Sequence, residues 1–313
     1  MTAIVLNHRH ADDTLRCVGA LAQSDHPRLS IVVVDNDSGP DVVDRLVDGL
    51  EATTNLILSP ENVGYAAGNN LGIRRALGLG ADLVWLVNPD VVVTPETLPV
   101  LIDATRARPA AGIIGCQVLE GGSRPARVLF NGGFVDWERG GAAIHRDAGD
   151  VYDDDVDPGP VFDVDYVTGA AMMVRAGVFR SVGLLPEEYF LYFEETDFNL
   201  RAAGAGWEVV VAPSAVAWHF KRSTGKLPEP YYIYYYVRNR IVFGSRYSSV
   251  DPVDIVLDLD EFVYRWRGAV ERNAPEWLPV YEELVETAIA HGLAGRTGRW
   301  GELEAVAGSA RVA

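Results

Sequence analysis

The sequence has few cysteines and few lysines. Its 2 cysteines, Cys17 and Cys116, both lie in apolar stretches, which argues against a disulfide scaffold and a cysteine-rich metal cluster. Lysine occurs only at positions 221 and 226, and 44 acidic residues against 27 basic ones give a formal net charge of −17. Because phosphate backbones are bound by basic faces, this balance argues against nucleic acid as a partner and disfavours docking on anionic lipid.

Long hydrophobic runs are also missing. No stretch reaches the roughly 18–20 apolar residues that a membrane-spanning helix requires. Met1 leads almost directly into a strand-like segment at residues 3–6, which leaves no room for a signal peptide. We therefore expect a cytoplasmic protein that at most lies peripherally at the inner face of the cell membrane.

The remaining composition is that of a globular enzyme. With 313 residues, 48% of them apolar, the chain can bury a large core. Strand-like and helix-like segments alternate through about residue 115, which predicts an α/β fold with a doubly wound, mostly parallel sheet flanked by helices. We divide the chain into a domain of residues 1–245 and a helical C-terminal extension of residues 246–313. Helices are predicted at residues 11–23, 40–52, 66–78 and 95–106. A strand that returns to the sheet is predicted at residues 162–174.

The most informative segment is Leu86-Val87-Asn88-Pro89-Asp90. It closes an apolar run typical of a buried parallel strand, and Asn-Pro interrupts the run just before the acid. Asp90 is therefore expected at the carboxyl end of a strand, where open α/β sheets bind their ligands. A divalent cation that bridges two phosphates needs a carboxylate held in this way. An Asp at the end of a strand is also a common turn residue, so both interpretations stay open for this segment alone.

Other segments have related features. A second apolar run, residues 29–34, leads into Asp35-Asn36-Asp37-Ser38-Gly39. Residues 62–72 are rich in glycine and asparagine, and glycine allows a backbone to approach a ligand closely. Further along come Glu194-Glu195-Thr196-Asp197 and Trp218-His219. Together these segments supply the carboxylates, amides and imidazole that a nucleotide site needs.

In this order the segments resemble the inverting family-2 glycosyltransferases with the GT-A fold, and most closely their rhamnosyltransferase-like branch. The resemblance spans about residues 3–245. It is carried by a first strand ending at Asn7, Val-Val-Asp-Asn-Asp-Ser, Asn-Val-Gly-Tyr-Ala-Ala-Gly-Asn-Asn, Asn-Pro-Asp and Glu-Glu-Thr-Asp-Phe-Asn-Leu-Arg.

The resemblance implies a metal site. The family motif is Asp-any-Asp, with the last acid as the principal ligand, so Asp90 is the predicted ligand of Mn²⁺ or Mg²⁺. Asn88 replaces the first acid and is assigned to the ribose or to a metal-bound water. His219 resembles the distal histidine that completes this site in some members, whereas a lone histidine is more commonly a core or surface residue.

The resemblance also implies a catalytic base. In the family it is the Asp of a Glu-Asp pair, and the matching residue here is Glu195. We rank Asp197 second and Glu194 third. Asp197 stands four residues before Arg201, which equally suits an ion pair on one helix face, and Glu194 suits a helix N-terminus.

Donor and acceptor contacts follow from the same comparison. Thr168 and Gly169 resemble the loop that meets the acceptor sugar. The aromatic run at residues 231–237, with Arg238 after it, suits a lipid-linked acceptor and its diphosphate, although packing of this helix is the favoured alternative. Asp35 could instead be an acidic turn residue that binds no ligand. Residues 66–78 could likewise be a capped helix without a donor-binding role. The predicted donor-binding residues are Asn7, Asp35, Asn62, Gly64, Gly68, Asn69 and Asn88.

The leading hypothesis is a metal-dependent hexosyltransferase that uses dTDP-rhamnose or a UDP-sugar to extend a cell-surface glycan or lipid-linked acceptor. A nucleotidyltransferase would need a glycine-rich basic loop after the first strand, and residues 7–10 offer none. A non-catalytic nucleotide- or carbohydrate-binding protein of the same fold stays open, because Asn88 and Glu195 depart from the family pattern. A NAD-binding protein is disfavoured, since no G-x-G-x-x-G follows the first strand.

Two remaining features have plain explanations. The acidic cluster at residues 147–157 does not match the spacing of an EF-hand, which favours a solvated loop. Trp266, Trp277 and Trp300 in the tail are expected to serve packing or a self-association surface that forms a homo-oligomer.

Overall fold

The structure, a computed structural model, describes residues 1–24, 26–220 and 227–308. The strands are β1 Thr2–Asn7, β2 Ser30–Asn36, β3 Asn55–Ser59, β4 Leu83–Val87, β5 Val91–Val93, β6 Ala111–Glu120, β7 Val128–Phe130, β8 Gly133–Asp136, β9 Ala142–His145, β10 Phe162–Asp163, β11 Ala171–Arg175 and β12 Glu208–His219. The helices are α1 Ala11–Ala22, α2 Pro40–Gly49, α3 Gly64–Gly78, α4 Thr97–Ala107, α5 Ala176–Val182, α6 Glu194–Gly204, α7 Pro230–Tyr247, α8 Pro252–Asp258, α9 Asp260–Asn273, α10 Leu278–Leu293 and α11 Leu303–Gly308.

The main sheet has the strand order β10-β12-β6-β11-β4-β1-β2-β3. Strands β3, β2, β1 and β4 run parallel, as do β6 and β12. Strand β11 lies antiparallel between β4 and β6. The strand predicted at residues 162–174 is divided into β10, which pairs with β12, and β11, which returns to the middle of the sheet. The α/β fold with a mostly parallel sheet flanked by helices is thus confirmed.

The strand register brings the polar strand ends to one edge of this sheet. Asn7 at the end of β1 is paired with Asp35 on β2, and Val5 is paired with Val87 at the end of β4. Because these strands are parallel, their carboxyl ends face the same way. Residues 88–90, which follow β4, therefore leave the sheet at the edge where Asn7 and Asp35 lie.

The four predicted N-terminal helices are present as α1 to α4, with ends that differ by at most three residues. Helix α2 ends at Gly49 instead of residue 52, and α3 begins at Gly64 instead of residue 66. Gly64 has a φ of 87°, a left-handed conformation that glycine adopts without steric cost, so the chain turns directly into the helix there. None of the described helices combines the length and apolar character that a bilayer crossing requires.

The chain forms two compact units. Unit 1 comprises the described residues of 1–134, 144–186 and 195–221, and its core is built by apolar residues of the main sheet and of α1 and α4, such as Trp85 and Leu101. Unit 2 comprises the described residues of 135–143, 187–194 and 222–313. Its core is helical, with α7 and α10 contributing Tyr235 and Leu284. Helix α7 belongs to unit 2, and the domain boundary at residues 245 and 246 stays a prediction.

Both cysteines are free thiols buried in unit 1. Burial raises the pKa of the Cys116 thiol to about 12. Burial, and then the nearby Asp90 carboxylate, raises the pKa of the Cys17 thiol well above its usual range. Cys17 lies on α1 with its Sγ 3.5 Å from the carbonyl oxygen of Asn88. Both thiols are therefore protonated and covered in the folded chain.

Candidate active site

The ends of β1 and β2 are joined by side-chain hydrogen bonds. The Asn7 amide donates to Asp35 Oδ1 (2.6 Å) and to Ser38 Oγ (3.1 Å). Its Oδ1 accepts from the Thr14 hydroxyl (2.8 Å), while Asp35 Oδ2 accepts from the Ser38 backbone N–H (3.1 Å). A carboxylate offers roughly four acceptor positions, so these bonds leave Asp35 able to accept from a ligand. The structure brings the predicted donor residues Asn7 and Asp35 together.

Asn36 is a site residue that the sequence reasoning missed. Its Nδ2 donates to Asn62 Oδ1 (3.0 Å) and to the Gly64 carbonyl (3.2 Å), and its Oδ1 accepts from the Val63 N–H (3.0 Å). The buried Asn36 side chain therefore ties the end of β2 to the turn that precedes α3. Its position next to Asp35 at a strand end was the available signal.

His8 completes this network. Its Nδ1 lies 2.8 Å from the carbonyl oxygen of Asn36, and its Nε2 lies 3.4 Å from Asn62 Nδ2. Because a carbonyl can only accept, Nδ1 carries the proton, and the neutral ring then presents Nε2 as an acceptor. The tautomer of His8 is thus assigned by its two neighbours.

Gly68 and Asn69 lie inside α3, on its packed side. A Cβ at Gly68 would lie 2.6 Å from Leu6 Cδ1, so glycine allows α3 to approach β1 closely. Asn69 is buried and donates to the Tyr65 carbonyl one turn earlier (3.0 Å). These contacts serve helix packing, and the donor-binding role of both residues stays a prediction.

Asp90 and His219 lie in direct contact although 129 residues separate them in sequence. Strands β5 and β12 pair antiparallel with His219 opposite Val91, which places the imidazole beside the turn after β4. His219 Nε2 is 2.9 Å from Asp90 Oδ1, and the two side chains are 12% and 27% exposed. The predicted metal ligands therefore share one partly open position at the sheet edge.

The spacing of Asp90 and His219 suits a metal ion. Two ligand atoms about 2.1 Å from an octahedral cation, at right angles, lie about 3 Å apart. The 2.9 Å between Asp90 Oδ1 and His219 Nε2 is a hydrogen-bond distance in this structure, and it is also close to that spacing. A second acidic group, Asp153 to Asp155, has carboxylate oxygens within 4.8 Å of one another, but all of these residues are exposed, as expected for the solvated loop.

Glu195 lies in the first turn of α6. Its Oε2 is buried, and within the described part of the chain it has no hydrogen-bond partner. Burial raises the pKa of this carboxyl above its ordinary value, and the backbone N–H groups of Glu195 and Thr196 offset the rise in part. A carboxylate with a raised pKa is a stronger proton acceptor, which suits a general base.

We expect Glu195→Gln to gain stability relative to the wild type as the pH rises. The folded-state pKa of Glu195 is raised, so the folded chain retains a proton that the unfolded chain releases above the ordinary carboxyl pKa. The stability from that protonated form is lost as the pH rises through the folded pKa, whereas Gln does not titrate. Thermal unfolding of both proteins at pH 5 and pH 8 measures the difference. A difference independent of pH would contradict the raised pKa.

Asp197, the second candidate base, forms an ion pair. Its Oδ1 accepts from Arg201 Nε at 2.7 Å, and the same guanidinium donates to the carbonyls of Val182 and Leu184. This is the same-face pair that the spacing allowed. Since Asp197 is buried and engaged with Arg201, Glu195 keeps the first rank.

Thr168 and Gly169 lie beside the metal-motif segment. The Gly169 carbonyl accepts from the Tyr65 hydroxyl (2.8 Å), and the neighbouring Ala170 carbonyl accepts from the Asn88 N–H (3.0 Å). The Thr168 hydroxyl accepts from the Ala170 N–H (3.3 Å). The loop is thus held against α3 and residue 88, and its contact with an acceptor stays a prediction.

Arg238, a predicted contact of the acceptor diphosphate, is instead a buried residue of unit 2. Its guanidinium is buried in unit 2 and donates to the carbonyls of Tyr189 (2.8 Å) and Gly298 (2.5 Å) and to Asn239 Oδ1 (2.8 Å). Because internal acceptors already engage each of its nitrogens, Arg238 serves packing instead of binding a diphosphate.

The chain is similar to known glycosyltransferases. Residues 2–144 match the family described as glycosyl transferase family 2. The N-acetylglucosaminyl-diphospho-decaprenol L-rhamnosyltransferase of Mycobacterium tuberculosis is 26% identical over 226 residues, which cover 66% of this chain and 71% of the relative. Galactofuranosyltransferase GlfT1 of Mycolicibacterium smegmatis is 36% identical over 88 residues, 28% of this chain and 29% of the relative.

A solved structure has the same fold. The mannosyltransferase PcManGT from Pyrobaculum calidifontis, in complex with GDP-Man and Mn²⁺, gives a TM-score of 0.54 at 16% sequence identity. The match covers 99% of this chain and 79% of that chain. The chain thus has the fold of the GT-A glycosyltransferases. The match of residues 2–144 to glycosyl transferase family 2, with the rhamnosyltransferase relative beside it, supports a family-2 glycosyltransferase of the rhamnosyltransferase-like kind.

Proposed function

We propose that the protein transfers a hexosyl group, with inversion, from a pyrimidine nucleoside diphosphate sugar to a glycan or lipid-linked acceptor and releases the nucleoside diphosphate. The observation that carries the proposal is the contact of 2.9 Å between Asp90 and His219 at the carboxyl edge of the sheet. A carboxylate and an imidazole with this spacing suit a divalent cation, and open α/β sheets bind nucleotides at this edge.

The proposed cation is Mn²⁺ in preference to Mg²⁺. Carboxylates suit both ions, whereas Mg²⁺ is normally held by oxygen ligands alone, so His219 favours Mn²⁺. When bound, the cation neutralises the charge of the departing diphosphate. Asn88 is proposed to orient the ribose or a metal-bound water, and Asp35, held by Asn7, to accept from the ring N–H of the nucleobase.

The proposed base is Glu195. It accepts the proton of the acceptor hydroxyl as that oxygen attacks the anomeric carbon, where an oxocarbenium-like state develops by analogy with glycosidases. Its raised pKa strengthens the carboxylate as an acceptor. Asp197 is proposed to hold α6 through Arg201 instead of taking the proton.

The proposed acceptor is a glycan linked to a lipid diphosphate. The name of the Mycobacterium tuberculosis relative describes rhamnosyl transfer to N-acetylglucosaminyl-diphospho-decaprenol. We propose a related transfer here, with dTDP-rhamnose as the first donor to test and a UDP-sugar as the second. Thr168 and Gly169 are the proposed contacts of the acceptor sugar.

The test is calorimetric binding of UDP, dTDP and GDP, each with and without Mn²⁺, to the wild type and to His219→Ala. We expect one pyrimidine diphosphate to bind in a Mn²⁺-dependent way and to bind more weakly to the variant. Equal binding to both proteins would remove His219 from the site. Failure of all three nucleotides to bind would overturn the nucleotide-sugar function and favour a carbohydrate-binding protein.

The contact between Gly121 and Phe220 provides a second test of the same site. The Phe220 N–H donates to the Asp90 carbonyl (2.8 Å), and the Gly121 N–H donates to the His219 carbonyl (2.8 Å). The Phe220 ring packs so closely that a Cβ at Gly121 would lie 2.5 Å from its Cγ. Residue 121 therefore has no room for a methyl group unless Phe220, and His219 with it, moves.

We expect Gly121→Ala to weaken Mn²⁺ binding about 10- to 100-fold, the usual effect of disturbing residues that orient metal ligands. Calorimetric titration with Mn²⁺ in the presence of the preferred diphosphate measures this loss. The matched control is Gly19→Ala on α1, where an added Cβ meets nothing within 4 Å. Unchanged affinity in Gly121→Ala would mean that this contact does not position His219.

A further inference from the structure

The segment that leads into α6 has an unusual backbone. Three aromatic residues in it, Phe190, Tyr192 and Phe193, have φ values of 68°, 69° and 74°. Left-handed conformations cost free energy at every residue with a Cβ, and they persist only where the surroundings fix them. We call residues 189–193 the strap. The strap ends directly before Glu194, the first residue of α6.

One buried amide in unit 2 holds the strap. Asn239 Nδ2 lies 3.0 Å from the carbonyl oxygen of Tyr189, 2.7 Å from that of Leu191 and 2.9 Å from that of Tyr192. An amide has two hydrogens, so these three carbonyls share them. Arg238 Nε donates to Asn239 Oδ1 (2.8 Å), and this bond assigns the side of the amide that faces the strap.

The aromatic side chains of the strap pack on the same helix. Tyr232, Tyr236, Asn239 and Phe243 follow one another at spacings of three or four residues, so they share one face of α7. Ring-centroid distances from the strap to α7 are 4.9 Å for Phe190 and Tyr235, 5.2 Å for Tyr192 and Tyr232, 5.7 Å for Phe193 and Tyr236, and 5.3 Å for Phe193 and Phe243.

We propose that Asn239 is a positioning residue for the catalytic base, because it holds the strap in its left-handed conformation and so fixes the beginning of α6. Glu195 is the second residue of that helix. The inference rests on the proposed function, in which Glu195 takes the proton. Ring packing accounts for the strap side chains, whereas the carbonyls of Tyr189, Leu191 and Tyr192 all accept from Asn239. Arg238 is a second donor to the Tyr189 carbonyl.

The test begins with Asn239→Ala, which removes the amide. We expect kcat to fall at least tenfold, with the donor KM and nucleotide Kd changed less than twofold. Hydrogen exchange of the backbone at residues 189–195 should become faster. The matched control is Asn273→Ala, an exposed asparagine of the same unit that donates to the Ala269 carbonyl and has no contact with the strap in the described bonds.

A double-mutant cycle separates positioning from general damage. If Asn239 acts through Glu195, Asn239→Ala should lower the residual rate less than twofold once Glu195→Gln is present, because the group being positioned is gone. An equal loss in both backgrounds would overturn the proposal. So would unchanged hydrogen exchange at residues 189–195 in Asn239→Ala.

One outcome separates this inference from the proposed function. If the wild type shows no nucleotide-dependent transfer, the proposed function fails, and hydrogen exchange alone decides whether Asn239 holds the strap. If Asn239→Ala does not fold, Asn239→Asp takes its place, since it keeps the shape and turns a carboxylate oxygen toward the three carbonyls. Failure of both variants to fold beside a folded Asn273→Ala would overturn the positioning role.

Discussion

Glu195→Gln is expected to lower kcat about 10²–10⁴-fold, the usual contribution of a general base, while leaving nucleotide affinity unchanged. Gln keeps nearly the same shape but cannot take a proton. The Glu195 carboxyl is buried with a raised pKa, so its protonation is the property that the change removes. Steady-state transfer rates, with calorimetric nucleotide binding beside them, measure the two quantities separately.

The control for this experiment is Glu96→Gln, the same substitution at an exposed position before α4. It should retain the wild-type rate. If Glu195→Gln keeps more than about a tenth of the rate, the base is another carboxylate, and Asp197 is the next candidate. The pH profile adds a second check, because the rate of the wild type should rise with pH as Glu195 loses its proton.

Asp90→Asn is expected to reduce turnover about as strongly as Glu195→Gln, but through metal affinity. The amide keeps one oxygen near His219 and removes the negative charge, so the cation loses its anionic protein ligand. We expect a loss of Mn²⁺ affinity of at least 100-fold and weaker Mn²⁺-dependent binding of the nucleotide. Calorimetry with Mn²⁺, and with the nucleotide in the presence of Mn²⁺, measures both affinities, and turnover over a range of Mn²⁺ concentrations measures the loss of rate.

The exposed acidic loop supplies the control for Asp90. Asp153→Asn and Asp154→Asn each remove a carboxylate from the only group of three candidate ligands that lies outside this edge among the described residues. Both variants should bind Mn²⁺ as the wild type does. Weaker binding in either of them, with unchanged binding in Asp90→Asn, would place the functional cation in the acidic loop.

Much of the sheet edge where Asn7, Asp35 and Asp90 lie could be predicted from the sequence, because parallel strands bring their carboxyl ends to one edge. Apolar runs followed by polar residues located Asn7, Asp35 and Asp90, and the register of the sheet sets these strand ends side by side. The approach of His219 to Asp90 was predicted from the family resemblance alone, since no local pattern joins residues 129 apart.

The remainder depends on contacts that local patterns do not contain. The spacing of the tyrosines predicts a helix with an aromatic face, yet the strap residues bonded to Asn239 on that face lie 47 to 50 positions earlier in the chain. Arg238 was assigned to an acceptor diphosphate because it follows the aromatic run and a guanidinium pairs well with phosphate. Its carbonyl partners became visible only with the fold.

The alkylation rates of the two buried thiols report how often the segments around them open. Alkylating reagents attack exposed thiolates, so each cysteine reacts only when the segment that covers it opens. Cys17 faces the carbonyl of Asn88, so its reaction reports on the sheet edge beside Asp90. Cys116 lies within β6 and reports on the middle of the sheet. A ligand that closes the edge slows the alkylation of Cys17 and not that of Cys116. The ratio of the two alkylation rates therefore reports ligand binding through cysteines that the chain already contains.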